Sequence, residues 1–88
     1  MTYRLLTTAE FEKQFQRLDH SVQIVVKKWI RTHLLNTEDP RLFGKALIGE
    51  FKGYWRYRIG SYRLLAEIRD EECVLIAVDI GHRSVVYR

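Results

Sequence analysis

Tyr54-Trp55-Arg56-Tyr57-Arg58-Ile59-Gly60-Ser61-Tyr62-Arg63-Leu64-Leu65 reads as a β-hairpin. Two aromatic-rich runs flank Gly60-Ser61, and a glycine at the first position of a two-residue loop suits a type II′ turn. That turn fixes the pairing: Ile59 opposite Tyr62, Arg58 opposite Arg63, Tyr57 opposite Leu64, Arg56 opposite Leu65 and Trp55 opposite Ala66. Because side chains alternate across a strand, one face carries Trp55, Tyr57, Ile59, Tyr62, Leu64 and Ala66. The other carries Arg56, Arg58, Arg63 and Leu65. Like charges directly opposite each other destabilise a sheet. Arg58 and Arg63 form such a pair, with Glu67 the only nearby carboxylate. Either this is a plain solvated face, or it is a site built to hold an anion such as a nucleic-acid backbone.

Working outward, 88 residues with a 47% apolar fraction make one domain, residues 1–88, with a modest core. A net charge of +4 favours a polyanionic partner: RNA, DNA or an acidic protein. The single Cys73 excludes an internal disulfide and reads as a buried thiol in a reducing compartment. The longest unbroken apolar run is Val74 to Val78, too short to span a membrane, and Met1-Thr2-Tyr3-Arg4 opens no signal peptide. A cytoplasmic protein is expected.

Tyr3 to Leu6 is a strand candidate. Thr7, with Glu10 three residues on, fits a capping box, after which Phe11, Phe15 and Leu18 fall at helical spacing. Asp19-His20-Ser21 breaks the pattern. A second helix runs from Ser21 to Leu35, its apolar stripe Val22, Val25, Val26, Trp29, Ile30 and His33. Asn36 stops it, and Asp39-Pro40 cannot continue it. Arg41 to Gly53, with Gly44, Gly49 and Gly53, has no clear period. Asp70-Glu71-Glu72 is an acidic turn before a final strand, Cys73 to Ile80, ended by Gly81. Val74, Ile76, Val78 and Ile80 share one of its faces, and Cys73, Leu75 and Ala77 the other. The order strand, helix, helix, three strands predicts an α+β domain: a mainly antiparallel twisted sheet with a helical hairpin on one face and the arginine face open.

The chemistry-bearing residues are few. His20, His33 and His82 lack metal-ligand spacing, and no phosphate loop, nucleophile elbow or Cys/His pattern is present, so no metal or cofactor is expected. What stands out is Arg56, Arg58 and Arg63, with His82, Arg83 and Tyr87 in the C-terminal tail. RNA cleavage needs a base for the ribose 2′-hydroxyl, cations for the phosphorane, and an acid for the departing 5′-oxygen. Guanidiniums bind phosphate bidentately. A tyrosine or histidine can exchange protons if nearby cations shift its pKa.

Three stretches also carry a resemblance: Phe43-Gly44-Lys45-Ala46-Leu47, then Lys52 through Arg63, then Ile80-Gly81-His82-Arg83-Ser84-Val85-Val86-Tyr87. In that order, after a helix pair, they resemble the RelE toxins of the RelE/ParE toxin–antitoxin superfamily over nearly the full length. The resemblance implies a type II toxin, a ribosome-dependent endoribonuclease that cuts mRNA in the ribosomal A site and leaves a 2′,3′-cyclic phosphate. It maps the family's catalytic arginine onto Arg63, its second arginine onto Arg83, its C-terminal tyrosine onto Tyr87 and a basic strand residue onto Arg56, with Arg58 beside it. Where familiar members have a further lysine, this chain has Tyr54; Lys52 or Lys45 is the substitute. The base is Tyr87 or His82. Tyr54 is a candidate to stack on a base of the RNA. The implied partners are the ribosome with its mRNA and an acidic RelB-like antitoxin that folds on binding and forms a hetero-oligomer. Two rivals stand beside this reading: a ParE-type poison of DNA gyrase, and a nucleic-acid-binding module without catalysis.

Overall fold

The computed structural model describes residues 1–84. Five strands and two helices follow one another as β1 (Arg4–Thr7), α1 (Ala9–Gln16), α2 (His20–His33), β2 (Gly44–Ala46), β3 (Tyr54–Ile59), β4 (Tyr62–Arg69) and β5 (Val74–His82). The sheet order is β1-β5-β4-β3-β2, with β1 parallel to β5 and every other pair antiparallel. The α+β layering matches the sequence reading. The strand count after the helices does not: there are four, because β2 forms inside the stretch without a period.

The hairpin has the predicted register, from Trp55 opposite Ala66 to Ile59 opposite Tyr62. Gly60 has φ +60°, and Ser61 is not among the positive-φ residues, as a type II′ turn requires. Tyr57, Ile59, Leu64 and Ala66 face the helices and are buried with Phe11 and Phe15 of α1 and Val26 of α2. Val26, Tyr57 and Leu64 are fully covered, and burying a side chain of that size stabilises by about 1.5–3 kcal/mol. Trp55 and Tyr62 pack at the rim.

Several local expectations shift. The helix cap is Thr8, whose hydroxyl accepts from the Phe11 amide at 3.1 Å; Thr7 instead donates to Glu12. Asp19 is the N-cap of α2, so the helix begins and ends earlier than predicted. Val25 is 57% exposed and leaves the apolar stripe. α2 ends at His33 with Leu34 as its C-cap, and Asn36, expected to stop it, takes the left-handed region two residues further on, at φ 58°. Gln23 of α2 ties the two helices together, its amide donating to the carbonyls of Phe15 and Leu18 at 3.1 and 3.0 Å. These carbonyls lie at the end of α1, where intrahelical donors run out.

The last strand starts at Val74. Cys73 precedes it at φ 53° and is only half-buried, not a core thiol. A β-bulge opposite Leu65/Ala66 switches the side-chain alternation midway along β5. Leu75, Ala77 and Ile80 therefore share the core face, where a regular strand would have sent Ile80 outward. Gly81 and His82 continue the strand that Gly81 was expected to end.

Two contacts fix the long connection between α2 and β3. The Tyr57 hydroxyl, buried, donates to the Pro40 carbonyl. Gly44 lies over the Tyr57 ring so closely that an added Cβ would sit 2.8 Å from ring carbon Cε1. In the same connection, Arg41 grips Asp70 through both guanidinium nitrogens at 3.0 and 2.8 Å, and the Tyr3 hydroxyl donates to the same carboxylate at 2.6 Å. Arg41, and to a lesser degree Tyr3, hold the Asp70 carboxyl down at about 2.

Gly44→Ala should lower stability by about 1–3 kcal/mol, since the rigid buried ring cannot yield; chemical denaturation checks this, and an unchanged midpoint would contradict it. The Asp70 contribution is complete above the ordinary carboxylate value of 3.8 and is lost as pH falls through about 2. The gap in Tm between wild type and Asp70→Asn should thus be constant near neutral pH and close between pH 3.8 and about 2.

Candidate active site

The site is built by register. On the face turned away from the helices, Lys45 of β2 pairs with Arg56 of β3, and Arg56 pairs with Leu65 of β4. One step along, Arg58 pairs with Arg63, and Arg63 with Gly81 of β5. Tyr54 pairs with Glu67 one step the other way. Directly opposite residues stand about 5 Å apart at Cβ, diagonal ones about 7–8 Å. Arg56, Arg58 and Arg63 therefore root within one small triangle, and their side chains are long enough to meet over it. Gly81 contributes no side chain opposite Arg63. Leu65, 2% exposed, floors the triangle with apolar surface.

Arg56 and Arg58 are under-compensated there. Glu67, one pairing step from Leu65 on β4, is held by Arg69 at 2.9 Å. Among the described residues Arg58 has no ion pair, and the Nε of Arg56 is buried without a hydrogen-bond partner. An orphaned buried donor typically costs about 1–3 kcal/mol. Combined with two opposed guanidiniums, it makes a basic surface able to take an anion with several acceptor oxygens.

The other sequence-predicted residues divide. Lys45 and Tyr54 lie on this face, Lys45 exposed and Tyr54 half-buried. Lys52 is exposed in the loop after the turn Gly49–Phe51, outside the paired rows. Arg83 follows β5, and its amide donates to the Ser61 carbonyl at 2.9 Å, at the hairpin turn. His82 pairs with Tyr62, whose ring it meets edge-on at 5.5 Å. It therefore belongs to the helix side of the sheet, away from the arginines. There it lines a cleft of about 480 Å³ with Gln14, Arg17, Tyr62 and Asp79, where burial pushes the Asp79 carboxyl up. Tyr87 lies outside the described residues. Among the described residues no group of three or more His, Cys, Asp or Glu is placed to hold a metal, and no helix is long and apolar enough to cross a membrane. Sequence reading missed the strand that carries Lys45 and the side of the sheet on which His82 falls. Alternation back from Gly81, opposite Arg63, gives the latter once β5 is extended past Ile80.

Comparison with known proteins identifies the family and the fold. A family model described as the ParE toxin of the type II toxin–antitoxin system, parDE, matches residues 5–87. The chain is similar to Toxin RelG of Mycobacterium tuberculosis, at 31% identity over 87 residues, covering 99% of this chain and 95% of the relative. A chain of a RelBE toxin–antitoxin complex from the same organism superposes with a TM-score of 0.84 at 26% identity, over 96% of this chain and 94% of that one. The isolated RelE toxin of E. coli superposes with a TM-score of 0.73 at 27% identity, over 97% and 90%.

Replacing Arg58 with glutamine removes one of two opposed like charges. It should raise stability by about 0.2–1 kcal/mol at low ionic strength, and the gain should shrink as salt screens the pair. Denaturation at low and high salt checks both; a loss of stability at low salt would show that Arg58 is paired for structure.

Proposed function

The chain belongs to the RelE/ParE family of type II toxin–antitoxin toxins, and from that premise we propose that it is a ribosome-dependent endoribonuclease that cuts mRNA in the ribosomal A site. The observation that carries this reading is the convergence of Arg56, Arg58 and Arg63 on one open face beside side-chain-less Gly81. In the reaction, the ribose 2′-oxygen attacks the adjacent phosphorus and loses its proton to a base. The bond to the 5′-oxygen breaks, and that oxygen takes up a proton. The products are a 2′,3′-cyclic phosphate and a free 5′-hydroxyl. Arg63 and Arg56 hold the non-bridging oxygens and strengthen their grip as charge builds on the phosphorane. Arg83, at the edge of the hairpin turn, adds a third guanidinium. Arg58, Lys45 and Lys52 attract the flanking backbone, and Tyr54 offers a stacking surface.

Of the two candidates for base, His82 is on the far side of the sheet, so we assign the role to Tyr87. Its hydroxyl, ordinarily near pKa 10, would be lowered by guanidiniums placed beside it. A cation cluster with so weak an acid–base pair is a poor nuclease by itself. The ribosome would supply the in-line geometry, and orientation is a large part of any rate enhancement. This place of action is the cytoplasm. The same basic face would hold an acidic antitoxin, as the RelBE complex of M. tuberculosis pairs toxin with antitoxin.

The family model's ParE description supports a second reading, a poison of DNA gyrase. One experiment separates them. Protein added to a translating extract should produce mRNA 5′ ends within A-site codons, with Arg63→Ala and Arg83→Ala each slowing cleavage by about 10²–10³-fold without unfolding. Intact mRNA with altered DNA supercoiling would favour the gyrase reading. Intact mRNA and unaltered supercoiling, with salt-dependent RNA binding, would leave a binding module.

A further inference from the structure

His82 lies in the same motif as Arg83, yet on the opposite side of the sheet from the guanidiniums. Three contacts define what it does there. Its ring meets Tyr62 edge-on at 5.5 Å. Its Nδ1 accepts the backbone N–H of Ser84 at 3.2 Å and lies 2.9 Å from the Ser84 hydroxyl. Between them, the Arg83 N–H donates to Ser61 in the hairpin turn at 2.9 Å. Residues 82–84 are thus held at three points: ring on ring, amide on ring nitrogen, amide on turn carbonyl.

We infer that His82 is a positioning residue: it clamps the turn that presents Arg83 at the Gly60-Ser61 hairpin end, and takes no proton in the reaction. The nitrogen that would have to act as base is occupied by the chain's own amide. A neutral imidazole accepting at Nδ1 carries its proton on Nε2, so neither nitrogen offers a lone pair to a substrate hydroxyl. An acceptor at residue i bonded to the N–H of residue i+2 is the geometry of an Asx turn, which asparagine makes with its short side-chain oxygen. Asparagine can therefore replace the clamp but not a base. Glutamine, one methylene longer, reaches past the Ser84 amide.

This rests on the nuclease reading for its effect on rate, but the clamp itself can be measured apart from it. In full-length protein, the Ser84 amide should be protected from hydrogen exchange in wild type and His82→Asn, and lose that protection in His82→Gln and His82→Ala. On ribosome-bound mRNA, His82→Asn should cleave within about threefold of wild type with the same pH–rate profile, as expected when the turn stays in place. The alanine and glutamine variants should fall by up to about 10²-fold, the cost of a misplaced group, with thermal midpoints and antitoxin binding little changed. If His82→Asn is as slow as His82→Ala and a limb of the pH–rate profile disappears, His82 is the base and the inference is wrong. Equal exchange of the Ser84 amide in all four proteins would also overturn it. If wild type does not cleave mRNA while the exchange pattern holds, the nuclease reading fails and the clamp stands.

Discussion

The structure depends on the register of one hairpin. Gly60 turns the chain with φ +60°, and everything on β3 and β4 then has only one way to sort. A slip of one residue would send Arg56, Arg58 and Arg63 into the core and bring Tyr57, Ile59 and Leu64 to the surface. Burial of Tyr57 and Leu64 under α1 and α2 makes that slip prohibitive. The same constraint obliges Arg58 to face Arg63. Core packing on one side of the sheet thus imposes a repulsive pair on the other. The fold holds these two like charges opposite each other, a cost that an anionic ligand could offset.

This division of labour explains how the domain stays folded around an electrostatically unfavourable face. The helices, Trp29 and the Tyr57–Pro40 hydrogen bond lie on the core side or at its margin. Gly44 allows β2 to close over the Tyr57 ring, and β2 in turn delivers Lys45 beside Arg56. Gly81 and the bulge in β5 serve the site from the third strand: one puts no side chain opposite Arg63, the other restores Ile80 to the core.

Much of this was legible in the sequence. The hairpin register followed from two residues of turn chemistry and strict alternation, and the sorting of arginines from aromatics followed from the register. The helices were visible because Phe11, Phe15, Val22, Val26 and Trp29 repeat at helical spacing; the start of α1 was off by a residue because Thr7 and Thr8 are equally good caps. β2 was invisible because three residues in a glycine-rich stretch have no period of their own, and they are a strand only by pairing with β3. Alternation sorts Val74 to Ala77 correctly but puts Ile80 on the wrong face of β5, because a bulge is set by cross-strand fit. His82 was grouped with the arginines by proximity in sequence, whereas alternation sends it to Tyr62. Tyr87 lies outside the described residues, so its role rests on the family resemblance.

The central claim is that guanidiniums from two strands share one phosphate. It is tested most directly by following the arginine Nε–Hε resonances in NMR while titrating a short RNA whose 2′-hydroxyl is replaced by hydrogen at the cleavage position. If the phosphate is shared, the Hε signals of Arg56, Arg58 and Arg63 move together, fit a single Kd and return together when salt is raised. Signals that move with separate constants, or an Arg56 signal that stays still while Arg63 responds, would mean that the face is merely basic and holds no common ligand.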